Sequence, residues 1–204
     1  TYYGELLYDR FGDHARAIQC WKLAEQLDRK LSLPLNDLAI HYCHYGQPDL
    51  GLKYFERAIE LDPDNPDYLF NGAQFYLTLG PHVKRMHKWD NDRVYKEAMK
   101  FSKRAVELRP NDYELWEDYA VNFFAAENFG VEADWKQAAD VWRQARAAAK
   151  RPDHVFFTWI NEARAAIRAK DEARAASCLE EALKLQPDSE VTKQLLAEVR
   201  ERSS

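Results

Sequence analysis

Apolar and small residues recur along the chain at helical spacing, in paired segments joined by short polar turns. In residues 32–65 these positions are Leu35, Leu38, Ala39, Tyr42, Gly51, Phe55 and Ala58. Within each half, steps of three and four residues place them on one face of a helix. The gap between Tyr42 and Gly51 contains the polar turn YGQPDL. This segment therefore predicts two helices joined by a turn.

Two prolines mark the boundary between this helix pair and the next one. Proline lacks the amide hydrogen and cannot continue a helix interior, but it is tolerated in the first turn of a helix. Pro63 therefore ends one helix and Pro66 begins the next. Asp64 or Asn65 is expected to supply the oxygen that caps the new helix, because short polar side chains accept hydrogen bonds from free amides there.

The same pattern returns 34 residues later, and then with insertions. The next unit contains Leu69, Gly72, Ala73 and Tyr76, and its second half follows at Ala98, Ser102, Ala105 and Pro110. Pro110 lies 47 residues after Pro63, so about 13 residues are inserted around PHVKRMHKWDNDR. The following unit has an insertion of about six residues near ENFGVE. Helical repeats of this length bury their apolar faces by stacking on their neighbours.

We predict a single domain, residues 1–204, built of about five helix pairs and a terminal capping helix. The predicted repeats are 1–31, 32–65, 66–112, 113–154 and 155–188, with insertions near 81–94 and 127–133. The capping helix is predicted over 189–202, where Val191, Leu195 and Val199 form an apolar stripe. No comparable polar cap precedes Tyr2, so further repeats or another domain are expected upstream.

The repeated pattern resembles the tetratricopeptide repeat family. The signature of that family is a large residue, Leu-Gly or Leu-Ala, Tyr, then Ala, Phe, Ala and a closing Pro. The resemblance covers residues 2–188 and is most specific in 32–65, although two units carry insertions and the first lacks its closing proline. It implies an all-α fold, a right-handed α-solenoid of helix-turn-helix pairs. Small residues should let paired helices approach closely, and these are Ala39, Ala73, Ala120 and Ala163. Large residues should fill the space between neighbouring units, and these are Phe55 and Trp142.

Composition and charge narrow the range of functions. The low numbers of turn-forming residues, 7 Gly and 8 Pro, agree with a helical chain. The net charge of −5 argues against a general nucleic-acid-binding surface. No apolar stretch is long enough to span a membrane. The sequence contains no phosphate-binding glycine loop, nucleophile elbow or dinucleotide motif, so we predict neither catalysis nor a cofactor.

Histidine and cysteine residues are the candidate metal ligands of the chain. His41 and His44 lie three residues apart with Cys43 between them, but a zinc site needs three or four converging ligands. Packing or groove roles are favoured there. Cys20 and Cys178 occupy the same point of the repeat and are interpreted as small buried residues, and the odd total of 3 cysteines argues against a disulfide framework.

The family resemblance implies a concave groove, lined by the first helix of each pair, that receives an extended peptide or a partner helix. The phase of the signature assigns eleven candidate groove residues: Asn36, Ile40, His44, Phe70, Gln74, Leu77, Glu117, Val121, Phe124, Ile160 and Arg164. Any single one of them could instead line a solvated wall.

The partner chemistry follows from comparison with one subfamily, whose members grip the C-terminal carboxylate of heat-shock chaperones through lysine, asparagine and arginine. Acidic Glu114 and Asp118 stand where cations would be needed, so this clamp is disfavoured. Since Phe70, Val121 and Phe124 lie beside those acids, we expect a protein or peptide partner with an apolar or mildly basic segment.

The first insertion offers a second candidate contact, formed by Lys84, Arg85, Lys88 and Trp89. A basic loop with an aromatic residue can contact phosphate or an acidic partner, although two aspartates offset its charge. The alternative is a solvated loop packed onto the scaffold. For the whole chain, we predict a non-catalytic interaction scaffold; the alternative is a spacer or self-association module of a longer protein.

Overall fold

The computed structural model describes residues 1–202, which are entirely helical apart from turns. The thirteen helices in this range are α1 (Tyr2–Asp9), α2 (His14–Leu27), α3 (Leu33–His44), α4 (Pro48–Leu61), α5 (Pro66–Thr78), α6 (Gly80–His87), α7 (Asn91–Leu108), α8 (Tyr113–Asn122), α9 (Ala126–Phe129), α10 (Trp135–Ala148), α11 (Pro152–Arg168), α12 (Glu172–Leu185) and α13 (Glu190–Arg202). The predicted all-α fold class is confirmed. Across residues 1–202, none of the helices combines the length and the apolar character needed to cross a membrane.

The chain divides into two compact units, one from Thr1 to Leu108 and one from Arg109 onward. In the first unit α1 packs on α2, α3 on α4 and α5 on α7. In the second unit α8 packs on α10, α11 packs on both α10 and α12, and α13 packs on α12. The prediction that all the repeats form a single array with the boundaries given above stays a proposal.

Each predicted insertion contains a short helix. Helix α6 begins one residue before the first insertion and contacts α4, α5 and α7, and α9 begins one residue before the second. Both helices end at a residue with left-handed backbone geometry, Lys88 with φ 57° and Gly130 with φ 63°. Such a residue commonly ends a helix, because it satisfies the last carbonyl groups.

The boundary at Pro63 and Pro66 has the predicted geometry. Helix α4 ends at Leu61, and Pro66 is the first residue of α5. Of the two capping candidates, Asn65 is the cap, since the Asp67 amide donates to its Oδ1 over 3.1 Å. Asp64 instead accepts a hydrogen bond from Arg104 Nη2 over 2.8 Å.

Aspartate caps begin several other helices, and Asp171 at the start of α12 provides a test. The Arg174 amide donates to Asp171 Oδ1 over 3.0 Å. We expect Asp171→Ala to lower the free energy of unfolding by about 1 kcal/mol, the usual cost of losing such a cap. Urea denaturation followed by circular dichroism measures it. Asp188→Ala removes an exposed aspartate that caps no helix, and an equal loss there would contradict the interpretation.

The burial expected of the small and large packing residues is confirmed. The four alanines assigned to close helix approach, Ala39, Ala73, Ala120 and Ala163, are fully buried. Phe55 and Trp142, assigned to the space between units, are also fully buried. Burial of such large side chains supplies much of the stability of a repeat stack, because no helix pair can bury its apolar face alone.

The apolar stripe predicted on α13 was wrong at its first residue. Val191 is 55% exposed, whereas Thr192 and Val199 are buried and Leu195 is half-buried. Thr192, Leu195 and Val199 are separated by three and four residues, which follows the helical period more closely than the two steps of four in the prediction. Thr192 can be buried because its hydroxyl is hydrogen-bonded with Ser189 Oγ over 2.8 Å.

Candidate functional site

The candidate groove residues of the first unit lie on α3 and α5. Asn36 is buried, and its Oδ1 accepts a hydrogen bond from Asn71 Nδ2 over 3.1 Å, which links the two helices. His44 is exposed, and its ring lies edge-on to Phe75 with a centroid distance of 6.4 Å. The remaining candidates in this unit are half-buried: Ile40, Phe70, Gln74 and Leu77.

The second unit contains a cavity of about 350 Å³. Its lining residues are Val121, Phe124, Trp142, Asn161, Arg164 and Arg168. The structure thus brings together three of the five candidates predicted in this unit, and the other two, Glu117 and Ile160, are not among the lining residues. The cavity has the combination typical of binding sites, a mostly apolar wall with a few polar groups.

The apolar wall of the cavity comes from α8, from the segment that follows it and from α10. Val121 is 44% exposed although its side chain is apolar. Phe124 packs against Trp135 with a ring centroid distance of 5.3 Å. Trp142, from α10, is fully buried. An exposed valine beside an anchored aromatic ring presents apolar surface to a ligand at little cost in conformational entropy.

The polar groups of the cavity all come from α11. Asn161 is only 5% exposed, and its Nδ2 donates to the Phe157 carbonyl oxygen over 3.0 Å. Arg164 Nη1 donates to Asn161 Oδ1 over 3.1 Å. Arg168 Nη2 donates to Glu127 Oε1 over 2.6 Å, and its guanidinium lies 5.1 Å from the Phe124 ring centroid. The cavity therefore carries two guanidinium groups and no carboxylate among its lining residues.

The acidic residues of α8 have partners of their own. Asp118 Oδ2 accepts a hydrogen bond from Asn122 Nδ2 over 3.0 Å. Glu117 is half-buried and hydrogen-bonded with Tyr113; burial first, and the charge of Glu117 next, raise the pKa of Tyr113. None of Glu114, Glu117 and Asp118 is a lining residue of the cavity. The acids on which the expected basic partner rested are therefore outside it.

Comparison with known proteins identifies the repeats. Tetratricopeptide repeat family models match residues 54–90 and 158–189. A tetratricopeptide repeat-containing protein of Caenorhabditis elegans, trd-1, is 30% identical over 174 residues, which are 82% of this chain and 20% of that protein. The chain belongs to the tetratricopeptide repeat family. It spans about a fifth of the length of the nematode protein.

Other similar proteins match a smaller part of the chain or show the fold alone. The photosystem I assembly protein Ycf3 of Rippkaea orientalis is 26% identical over 106 residues, 50% of this chain and 61% of that protein. A solved structure of the C-terminal part of a repeat protein from Cytophaga hutchinsonii has a TM-score of 0.67 at 20% identity, covering 96% of this chain and 71% of that one. MamA from Desulfovibrio magneticus has a TM-score of 0.63 at 14% identity, covering 92% and 93%.

In this tetratricopeptide repeat protein, two basic residues of the first insertion form hydrogen bonds within the chain, and one of these reaches α4. Arg85 Nη2 donates to Asp49 Oδ1 over 3.0 Å, and Lys84 Nζ donates to Asn91 Oδ1 over 2.7 Å. Hydrogen bonds from His82 first, and then from Arg85, lower the pKa of Asp49. Lys88 is exposed. Much of the positive charge of the insertion is thus directed at the protein itself.

Trp89, the aromatic candidate of the insertion, also packs on its surroundings. Its ring stacks on His87 with a centroid distance of 4.3 Å, and the Arg93 guanidinium lies 5.1 Å from its ring centroid. His87 Nε2 in turn lies 2.6 Å from Glu56 Oε1 on α4. These contacts attach the insertion to the helix pair before it, while Trp89 remains half-buried.

The histidine and cysteine positions are occupied by packing contacts. His41 is buried, and its ring stacks on Tyr45 with a centroid distance of 4.7 Å; burial first, and the charge of His14 next, lower its pKa. Burial raises the pKa of the Cys43 thiol to about 12. Over residues 1–202, no group of three or more His, Cys, Asp or Glu is placed to hold a metal ion.

Three lining residues of the cavity were not among the predicted groove residues. Trp142 was predicted, but as a space-filling residue. Arg168 follows Arg164 by four residues and so lies on the same helix face, a signal that was available in the sequence. Asn161 precedes Arg164 by three residues and so lies on the same helix face, a signal that was available as well.

Proposed function

We propose that this tetratricopeptide repeat protein is a non-catalytic scaffold that binds a peptide or helix of a protein partner. The observation that carries the proposal is the cavity of the second unit, where Val121 and Phe124 offer apolar anchor surface beside Asn161 and Arg164. Apolar and aromatic anchors in a pocket supply most of the binding energy in such interfaces. The candidate residues of α3 and α5 would extend recognition to the first unit.

The comparisons support a role in holding proteins rather than in catalysis. The two matching family models are repeat families, and the Ycf3 relatives are named for the assembly of photosystem I. From that name we take only the general idea that a repeat chain holds a protein during assembly. The absence of a catalytic motif in the sequence agrees with a scaffold.

A second candidate function is a spacer or self-association module within a longer protein. It is favoured by the nematode relative, of which this chain covers only 20%. In that case the cavity would bind no separate partner. The cavity would then hold a second copy of the chain or remain empty. A molecular mass that rises with protein concentration would indicate self-association, which distinguishes it from peptide binding.

Val121→Ser tests the proposed scaffold function. Peptides would be selected from a displayed random library on the immobilised chain, and their affinities measured by fluorescence anisotropy. We expect the substitution to weaken the selected peptides about three- to tenfold, because full burial of a valine side chain contributes roughly 1.5–3 kcal/mol and about half of Val121 is already buried in the free chain. The fold should persist, since Val121 is 44% exposed.

The matched control is Leu185→Ser, which removes an equally exposed apolar residue of the second unit that does not line the cavity. We expect unchanged affinities for this variant. An equal loss for both variants, or a library that yields no binding peptide, would contradict peptide binding at this cavity.

A further inference from the structure

We propose that the cavity of the second unit selects partner segments in which an acidic side chain stands next to an apolar one. Arg164 would receive the carboxylate, while Val121 and Phe124 contact the apolar neighbour. The inference rests on the proposed scaffold function and specifies the chemistry of its ligand. It replaces the mildly basic character that the sequence suggested and keeps the apolar one.

The charge of Arg164 is available to a ligand. A guanidinium group carries five N–H donors, and within residues 1–202 Arg164 directs one hydrogen bond to Asn161 and forms no ion pair with a carboxylate. Its side chain is exposed at the cavity. An arginine next to apolar surface binds a carboxylate more strongly than one in open solvent, because the local dielectric constant is lower.

Asn161 holds Arg164 in position before any ligand binds. Its Nδ2 is committed to the Phe157 carbonyl oxygen, so its Oδ1 remains as the acceptor for Arg164 Nη1. Because Asn161 is 5% exposed, this hydrogen-bonded pair is anchored in the body of α11. A guanidinium group that is already oriented loses less conformational entropy when it binds a carboxylate.

Arg168 has a different part in the cavity. Its guanidinium donates to Glu127 over 2.6 Å and lies 4.8 Å from the Trp135 ring centroid. The charge of Arg168 is therefore offset by Glu127, and its side chain serves mainly as a wall. The net positive charge that remains comes from Arg164 alone, which fits one carboxylate and repels a lysine or arginine of the partner.

The experiment uses the library-selected peptides with amidated C-termini, so that any carboxylate belongs to a side chain. Each peptide is compared with a version in which its Glu or Asp is replaced by the corresponding amide. The protein variants are Arg164→Gln, Arg164→Lys and, as the matched control, Arg143→Gln. Arg143 is an exposed arginine of the same unit whose ion pair is with Asp140, and it does not line the cavity.

We expect Arg164→Gln to weaken the acidic peptide about tenfold and its amide version much less, because only the acidic peptide loses an ion pair between two full charges. Arg164→Lys should recover only part of the affinity, since lysine cannot form the bidentate pair. The affinity of the wild-type chain for the acidic peptide should fall with rising salt, and this dependence should be weaker for Arg164→Gln. Arg143→Gln should bind like the wild type.

Two results would overturn this inference while leaving the scaffold function intact. The first is a set of selected peptides without acidic residues that lose affinity in Val121→Ser but not in Arg164→Gln. The second is a wild-type chain that binds each acidic peptide and its amide version equally well. If no peptide is selected, or if the chain self-associates through Arg164, the scaffold function fails together with the inference.

Discussion

Replacement of Glu162 by glutamine is expected to lower the free energy of unfolding of the second unit by about 3–5 kcal/mol. Glu162 is 3% exposed and lies on α11 between two arginines. Arg146 Nη1 from α10 donates to its Oε2 over 2.5 Å, and Arg174 Nε from α12 donates to its Oε1 over 2.8 Å. Without the carboxylate, the Arg146 guanidinium, which is 15% exposed, would lose its ion-pair partner, and Arg174 would keep only its pair with Asp140 over 2.9 Å.

The position of Arg146 increases the expected loss. Its guanidinium lies 3.3 Å from the Trp159 ring centroid, so it is held between an aromatic face and the carboxylate. Its side chain is only 15% exposed, and water cannot replace the lost partner easily. Replacing one member of such a group costs far more than replacing the whole group by well-packed apolar residues.

Urea denaturation, together with hydrogen exchange of the α10, α11 and α12 amides, measures this effect in the second unit. The control is Glu180→Gln, which removes the carboxylate of an exposed ion pair with Arg200. Exposed pairs contribute about 0–1 kcal/mol, so the control should unfold nearly as the wild type does. Similar losses in both variants would show that the buried ion pairs contribute no more than surface charges.

The buried carboxylate also affects how the cavity is interpreted. Glu162 follows Asn161 directly on α11, and the helices that supply its arginines pack on either side of α11. The network therefore restrains the backbone that carries Asn161 and Arg164. Variants of Glu162 should weaken peptide binding as well, but through loss of the fold, which the hydrogen-exchange measurement detects.

The sequence predicted those features that depend on neighbours along the chain. The boundary at Pro63 and Pro66 and its capping oxygen follow from local backbone chemistry, which is the same in every fold. The phase of the repeat assigned Val121, Phe124 and Arg164, from two different repeats, to the groove side, and the structure brings them to one cavity. Periodicity is a strong signal because residues that recur at steps of three or four positions share one side of a helix, and a run of apolar residues at these steps marks the side that is buried.

The Glu162 network could not be predicted in the same way. Its arginine partners lie 16 and 12 residues away along the chain, on the two flanking helices. In the sequence, Glu162 reads as one more charged residue of a solvated helix face. Only the packing of α11 between α10 and α12 buries it, and that packing is a tertiary property.

The second large effect is expected for Gly72→Ala in the first unit. Gly72 is buried in α5, and a Cβ atom there would clash with Phe55 Cζ and would lie 3.2 Å from Phe101 Cδ2. Alanine normally stabilises a helix interior by about 0.5–1 kcal/mol relative to glycine. Here we expect a net loss of about 2 kcal/mol, since overpacking of a core costs roughly 1–3 kcal/mol and Phe55 has little room to move.

The reason that Phe55 has little room is its aromatic surroundings. The ring is fully buried and meets Phe75 and Phe101 edge-on, each at a centroid distance of 5.7 Å. A rotamer change would therefore break several packed contacts at once. The closeness of Gly72 to Phe55 thus depends on the absence of a side chain in α5.

Phe55→Leu distinguishes a local clash from a general intolerance of α5 to substitution. Leucine lacks the Cζ atom that the new methyl group would meet, so the double variant should lose less stability than the sum of the two single variants, with a coupling of about 1 kcal/mol or more. Urea denaturation of the four proteins gives this coupling directly. If the losses of unfolding free energy in the two single variants simply added up in the double variant, Gly72→Ala would act through the helix backbone. The contact with Phe55 would then not be the reason for glycine at this position.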